Sequence, residues 1–165
     1  MLQLRQLIPP LTLHATDGGT VHAWDFKQKK NLVIVFLHNE CPRCEEFLRL
    51  LSASASLWKE NEAVVLAAVL AQPSRVLTDS LHESVIVGVD PSGRAATAYL
   101  GKDALVPTGL ATLGIFQTDR YGELAASWNV TSDHKFATVA EIAASLELTE
   151  MSCDACTAPI WPVED

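Results

Sequence analysis

The sequence predicts an α/β fold: a three-layer sandwich with a central mixed β-sheet, entered through an N-terminal β-hairpin. Three observations carry that expectation. Short runs of branched apolar residues, Leu32–Leu37, Ala63–Leu70 and Val85–Val89, have the length and composition of strands buried on both faces. Stretches with helical spacing alternate with them, the pattern of helices laid on a sheet. The chain has 165 residues, 48% hydrophobic and 19% charged, which fits one domain able to close a substantial core.

Each element has its own signal. Leu11–His14 and Val21–Trp24 read as two strands joined by the tight turn Asp17-Gly18-Gly19. Lys27–Asn31 is a polar connection to the first buried strand. Pro42 suits a first helical position, and Glu45 and Glu46 favour the positive end of a helix dipole. Phe47, Leu50, Leu51, Ser54 and Trp58 recur at helical spacing, so one helix is expected from Pro42 to Lys59. A further helix is expected from Pro73 to Leu81, a turn at Asp90-Pro91-Ser92-Gly93 and a short helix over Ala95–Leu100. Gly101–Gly109 reads as a loop. Leu110–Thr118 and Glu123–Trp128 read as strands joined at Asp119-Arg120-Tyr121-Gly122. An amphipathic helix from Phe136 to Glu150 closes the domain, assigned to residues 1–150, and residues 151–165 form a tail.

Composition excludes several classes. Twelve Lys plus Arg against twenty Asp plus Glu give a net charge of −8, which opposes a phosphate-tracking surface and so nucleic-acid binding. The longest uninterrupted apolar run, Ala63–Ala71, is far short of the roughly 20 residues of a membrane span. No apolar segment follows Arg5 before Pro9-Pro10, so no secretory signal is visible. A cytoplasmic protein, or a mature one with its signal trimmed, is the expectation.

The four cysteines fall in two pairs of identical spacing, Cys41-Pro42-Arg43-Cys44 and Cys153-Asp154-Ala155-Cys156. A disulfide scaffold belongs to small secreted domains with weak cores. Redox chemistry and metal binding remain, beside the plain alternative of buried core cysteines. The first pair follows a buried strand and opens a helix. A thiolate is the attacking species in disulfide exchange, and a helix N-terminus stabilises one through its unpaired N–H groups and dipole. Arg43 adds a positive charge nearby, while Glu40, Glu45 and Glu46 oppose it. Cys44 is spaced to close a small disulfide with Cys41.

Buried strand, Cys-Pro-Arg-Cys and helix behind an N-terminal hairpin resemble the thioredoxin-like superfamily. The chain as a whole, over roughly residues 5–162, is most similar to its redoxin branch, the AhpC/TSA group of peroxiredoxins and thiol–disulfide reductases. The turn Asp119–Leu124 is similar to the one such proteins place between their last two strands. The ending Cys153–Cys156 with Pro159-Ile160-Trp161-Pro162 is similar to a tail of some bacterial redoxin-domain proteins. The resemblance implies a thioredoxin-like fold and a thiol–disulfide oxidoreductase, with Cys41 attacking and Cys44 resolving and no metal or organic cofactor. It implies a protein disulfide or peroxide as substrate and a thiol reductant, such as a thioredoxin-type system, as partner.

Three departures from the pattern stand in the sequence. Glu40 occupies the position usually aromatic before the first cysteine, and Leu110–Leu113 carries no proline, the nearest being Pro107. The peroxiredoxin Pro-x-x-x-Thr-x-x-Cys motif, aligned on Cys44, reads Leu37 and Cys41, and Arg43 and Arg120 are the substitutes for its arginine. A thiol peroxidase is therefore the alternative activity. An alternative of another class is a zinc-binding interaction module held by all four thiolates.

His38, three residues before Cys41, is a candidate proton carrier. His14, His22, His82 and His134 are scattered. Trp24, Trp58 and Trp128 are expected to pack in or against the core, and Trp161 to dock the tail on the domain. Cys153 and Cys156 form a second redox or structural pair, with electron exchange with Cys41–Cys44 as one expectation and a structural clip as another.

Overall fold

The computed structural model describes residues 2–38, 41–69, 81–90, 92–102, 113–130 and 135–151. Its sheet has seven strands: β1 (Thr12–Ala15), β2 (Thr20–His22), β3 (Asn31–Leu37), β4 (Ala63–Val69), β5 (Val85–Val89), β6 (Leu113–Thr118) and β7 (Leu124–Val130). They lie in the order β2-β1-β5-β4-β3-β6-β7. β3 pairs parallel with β4, and β4 with β5, while the other pairings are antiparallel. Four helices accompany it among the described residues: α1 (Pro42–Ala53), α2 (Ala55–Glu60), α3 (Arg94–Leu100) and α4 (Val139–Met151). This is the expected mixed-sheet α/β fold.

β3 and β4 are buried at every position, as branched apolar runs at the centre of a sheet should be. Their alternate side chains feed two cores. Val33, Val35 and Leu37 join Phe47, Leu48, Leu51 and Trp58 under α1 and α2, with Ile142 and Leu146 of α4. Leu32, Ile34 and Phe36 join Tyr99 of α3 and the N-terminal Ile8, Leu11 and Leu13 on the other face. Helices thus cover both faces, giving three layers.

Local chemistry shifts three expected elements. The helix expected from Pro42 to Lys59 is broken at Ser54. The buried indole of Trp58 donates to the Leu51 carbonyl at 2.6 Å, and the Ser54 hydroxyl donates to the Leu50 carbonyl at 2.8 Å. The Leu51 carbonyl is thereby drawn away from the amide that would continue the helix. β2 stops at His22 because the Asp25 carboxylate accepts its N–H at 2.9 Å and starts a 3₁₀ turn over Ala23–Phe26. That turn leaves Trp24 42% exposed, edge-on to His22, and not in the core. Asp90 does more than turn the chain. Its buried carboxylate accepts from the Ala95 and Ala96 amides at 2.8 and 3.2 Å and so caps α3. Trp58 is buried and Trp128 half-buried, as expected. The helix expected over Pro73–Leu81 lies, up to residue 80, outside the described residues. So do the start of the strand at Leu110, most of the Gly101–Gly109 loop, and the tail beyond Met151.

Gly88 is required where β1 crosses β5, opposite Ala15. A Cβ there would stand 2.8 Å from Leu13 Cβ and 3.0 Å from the His14 carbonyl oxygen. Backbone cannot give way as a flexible side chain can, so Gly88→Ala should destabilise by about 1–3 kcal/mol. Thermal denaturation checks this, as a melting temperature lowered by several degrees.

The two ends of the sheet differ. Leu37 of β3 lies level with Val69, Val69 with Val89, and the Leu113–Val130 pair lies at the same edge. At the opposite edge Asn31 donates to the Glu150 carboxylate, and Arg120 donates to both Glu150 oxygens at 2.9 Å. Arg120 also meets Glu62 at 3.2 Å. The C-terminal end of α4 is therefore fastened far from the C-terminal end of β3. Partial burial pushes the Glu150 carboxyl up, but the hydrogen bonds from Asn31 and Arg120 and the Arg120 charge outweigh it, and it titrates below its ordinary 4.5. A depressed carboxyl stabilises the fold above the unfolded value and loses that contribution as pH falls through the folded one. Between pH 6 and 3 the wild type should lose more melting temperature than Glu150→Gln.

Candidate active site

β3 delivers the chain to the edge where α1 begins, and Cys41 is the N-cap of that helix, in extended conformation (φ −115°, ψ 107°) with Pro42 in the first turn. Proline is suited to this place because the first-turn amides have no partner inside the helix. Cys41 Sγ takes one of those amides, accepting from the Cys44 N–H at 3.2 Å. Both cysteines are thiols, Cys41 half-buried and Cys44 fully buried. Cys41 thus caps α1 and Cys44 lies inside its first turn.

Burial pushes the Cys44 thiol up to about 12, helped by its hydrogen bond to the Cys41 side chain and by the Cys41 charge. A hydrogen bond from the His38 backbone opposes this without cancelling it. His38 thus touches the dithiol through its main chain, and its ring is half-buried at the end of β3.

Arg43 and Pro42 are exposed on the outer side of the first turn. Arg43 borders a groove of about 680 Å³ between the outer face of α1 and the start of α4, lined also by Glu46, Phe47, Leu50, Phe136 and Val139. Its floor is the stack of Phe47 on Phe136, ring centroids 4.3 Å apart and nearly parallel. Sequence reading placed Phe136 merely at a helix start. In fact α4 begins at Val139, behind a box in which Thr138 and Glu141 cap each other: the Thr138 amide donates to Glu141 at 2.7 Å, and the Glu141 amide to Thr138 at 3.1 Å. The spacing Thr-x-x-Glu carries that signal. The groove itself had none, since it depends on two aromatic residues far apart in sequence.

Other candidates fall elsewhere. Arg120, a possible stand-in for the peroxiredoxin arginine, is held by Glu150 and Glu62 at the opposite edge of the sheet. His22 bonds Thr12 at 2.9 Å, and His82 bonds Ser52 and Ser84 at 2.8 and 2.9 Å. Glu40, Pro107, His134, Cys153, Cys156 and Trp161 lie outside the described residues. Among the described residues no three His, Cys, Asp or Glu side chains are grouped to hold a metal ion, and no helix is long and apolar enough to cross a membrane.

This architecture is a thioredoxin-like fold, with a dithiol where the central strand meets a helix N-terminus. No family model and no curated protein matches the sequence. Solved structures do match the fold. The reduced 2-Cys peroxiredoxin of Plasmodium vivax superposes with a TM-score of 0.73 at 14% identity, over 90% of this chain and 96% of that one. AhpC of Mycobacterium tuberculosis gives 0.70 at 14% identity, over 96% and 97%. The thioredoxin domain of a thiol-disulfide oxidoreductase from Bacteroides vulgatus gives 0.58 at 16%, over 77% and 89%.

Proposed function

We propose that the protein is a thiol–disulfide oxidoreductase using Cys41 and Cys44. The observation that carries this reading is the asymmetry of the pair: Cys41 Sγ sits at the helix N-cap on the Cys44 amide, and Cys44 is buried beneath it with its proton held. In the first step the Cys41 thiolate attacks one sulfur of a substrate disulfide and the other sulfur leaves as a thiolate. Two of the three influences that hold the Cys44 proton, the hydrogen bond to Cys41 and the Cys41 charge, disappear once Cys41 is in the mixed disulfide. Cys44 is then easier to ionise at the moment it is needed. Its thiolate attacks Cys41 Sγ, the second substrate thiolate leaves, and two electrons have passed to the substrate. An external thiol reductant, such as a thioredoxin-type protein, returns Cys41–Cys44 to the dithiol. The His38 ring, at the end of β3, is the proposed carrier for the Cys44 proton.

Burial of Cys44 weighs against its acting as a peroxidatic thiol, which must meet peroxide as an exposed thiolate. The fold relationship to peroxiredoxins keeps peroxide as the second substrate class to assay, with Cys41 as the attacking thiol. A four-thiolate zinc site needs Cys153 and Cys156, and metal analysis of the full chain addresses it.

Alkylation tests the assignment. With iodoacetamide at pH 7, peptide mapping should find Cys41 modified well before Cys44, the gap should narrow as the pH is raised toward 10, and Cys44 should itself react faster when Cys41 is replaced by serine. Cys44 reacting first would overturn the assignment of roles.

A further inference from the structure

The groove beside the Cys-Pro-Arg-Cys helix has no occupant in the reaction proposed above. Its floor is the Phe47–Phe136 stack, Leu50 on its wall is 52% exposed, and its volume of about 680 Å³ is that of a site for bulky side chains. We infer that it is the docking site of this chain's own Ile160-Trp161, so that the tail lies back along the domain.

Chain reach supports that occupant. α4 has 13 residues, about 20 Å of helix at about 1.5 Å each. Its start borders the groove and its end is fastened by Glu150 at the other edge of the sheet. The tail therefore leaves Met151 about 20 Å from the groove. At about 3.3–3.6 Å per residue, Cys153 can lie about 7 Å from Met151, Cys156 about 17 Å, and Ile160 and Trp161 about 30 Å or more. Only the last two cover the distance with slack. At these lengths neither Cys153 nor Cys156 can reach the groove.

Composition agrees with reach. Ala158–Val163 is the apolar run of the tail, and Pro159 and Pro162 fix their own φ and disfavour helix at the residue before each, so less entropy is lost when the run is ordered. Proline-flanked apolar segments of this kind dock on aromatic-lined grooves. Tethering raises the effective concentration to the order of mM, so weak intrinsic affinity suffices.

The test uses the full chain and the rate at which subtilisin cleaves beyond Met151, a rate that tracks the undocked fraction. Leu50→Glu, at an exposed position, and Trp161→Ala should each speed cleavage by about tenfold or more while melting temperature holds. The wild-type rate should not change with protein concentration. Unchanged rates in both variants overturn the proposal. Acceleration by only one of them overturns this pairing of tail and groove. Protection lost on dilution overturns docking within one chain in favour of a neighbouring copy's groove.

Discussion

Serine at position 41 is expected to reduce turnover of a protein disulfide to the uncatalysed background, whereas serine at position 44 is expected to stop the reaction halfway. The difference follows from the order of events. Cys41 is the half-buried sulfur at the helix N-cap, so its loss removes the attacking atom. With Cys44→Ser the first attack still proceeds, but no thiol remains to release the mixed disulfide, which accumulates on Cys41. Insulin reduction with a small dithiol as electron source measures the first effect, and intact-protein mass spectrometry of the Cys44→Ser adduct the second. Serine is close to cysteine in size, so Cys41→Ser should keep the wild-type melting temperature, while Cys44→Ser, which buries a hydroxyl in the core, should lower it by a few degrees without unfolding the protein. The roles would be wrong if Cys44→Ser formed no adduct, or if Cys41→Ser retained turnover. A sulfenic acid on Cys44 after peroxide treatment, with Cys41→Ser still consuming peroxide, would transfer the chemistry to the peroxidase alternative.

What was legible in the sequence was whatever depends on neighbours in the chain. β3 and β4 were readable because burial on both faces forces continuous branched apolar runs. Cys41 at the N-cap was readable because Pro42 and the two glutamates after Cys44 mark a helix start. The helix break at Ser54 was hidden, because it comes from a long-range choice: Trp58, seeking a partner for its indole N–H inside the core, takes a carbonyl of the helix behind it. Trp24 misled for a related reason. Its apolar ring fits a strand pattern, but Asp25 competes for the His22 amide and turns the chain outward. The raised pKa of Cys44 could not be read either, since it rests on how deeply the first turn of α1 is buried in the core. The groove required knowing that Phe136 returns to Phe47.

Trp58→Ala is the substitution expected to cost most stability. Trp58 is fully buried, is the largest side chain of the core under α1 and α2, and belongs to the same cluster as Leu51, Val65 and Ala63. Removing a buried tryptophan ring forfeits its transfer energy and leaves a cavity, together about 3–5 kcal/mol. The indole also donates to the Leu51 carbonyl at 2.6 Å, and that carbonyl keeps only the Ser54 amide at 3.2 Å. For a chain of this size each kcal/mol is about 2–4 °C in melting temperature, so a fall of about 10 °C is expected. Trp58→Phe separates the two contributions, because it retains most of the packing and deletes the hydrogen bond. Its loss should be less than half that of alanine if packing dominates. Equal losses for Phe and Ala would mean that the Leu51 bond, and with it the break between α1 and α2, is the larger contributor. In Trp58→Phe the alkylation order of Cys41 and Cys44 should be unchanged, since the helix start is set by β3 and Pro42, about four turns before Trp58.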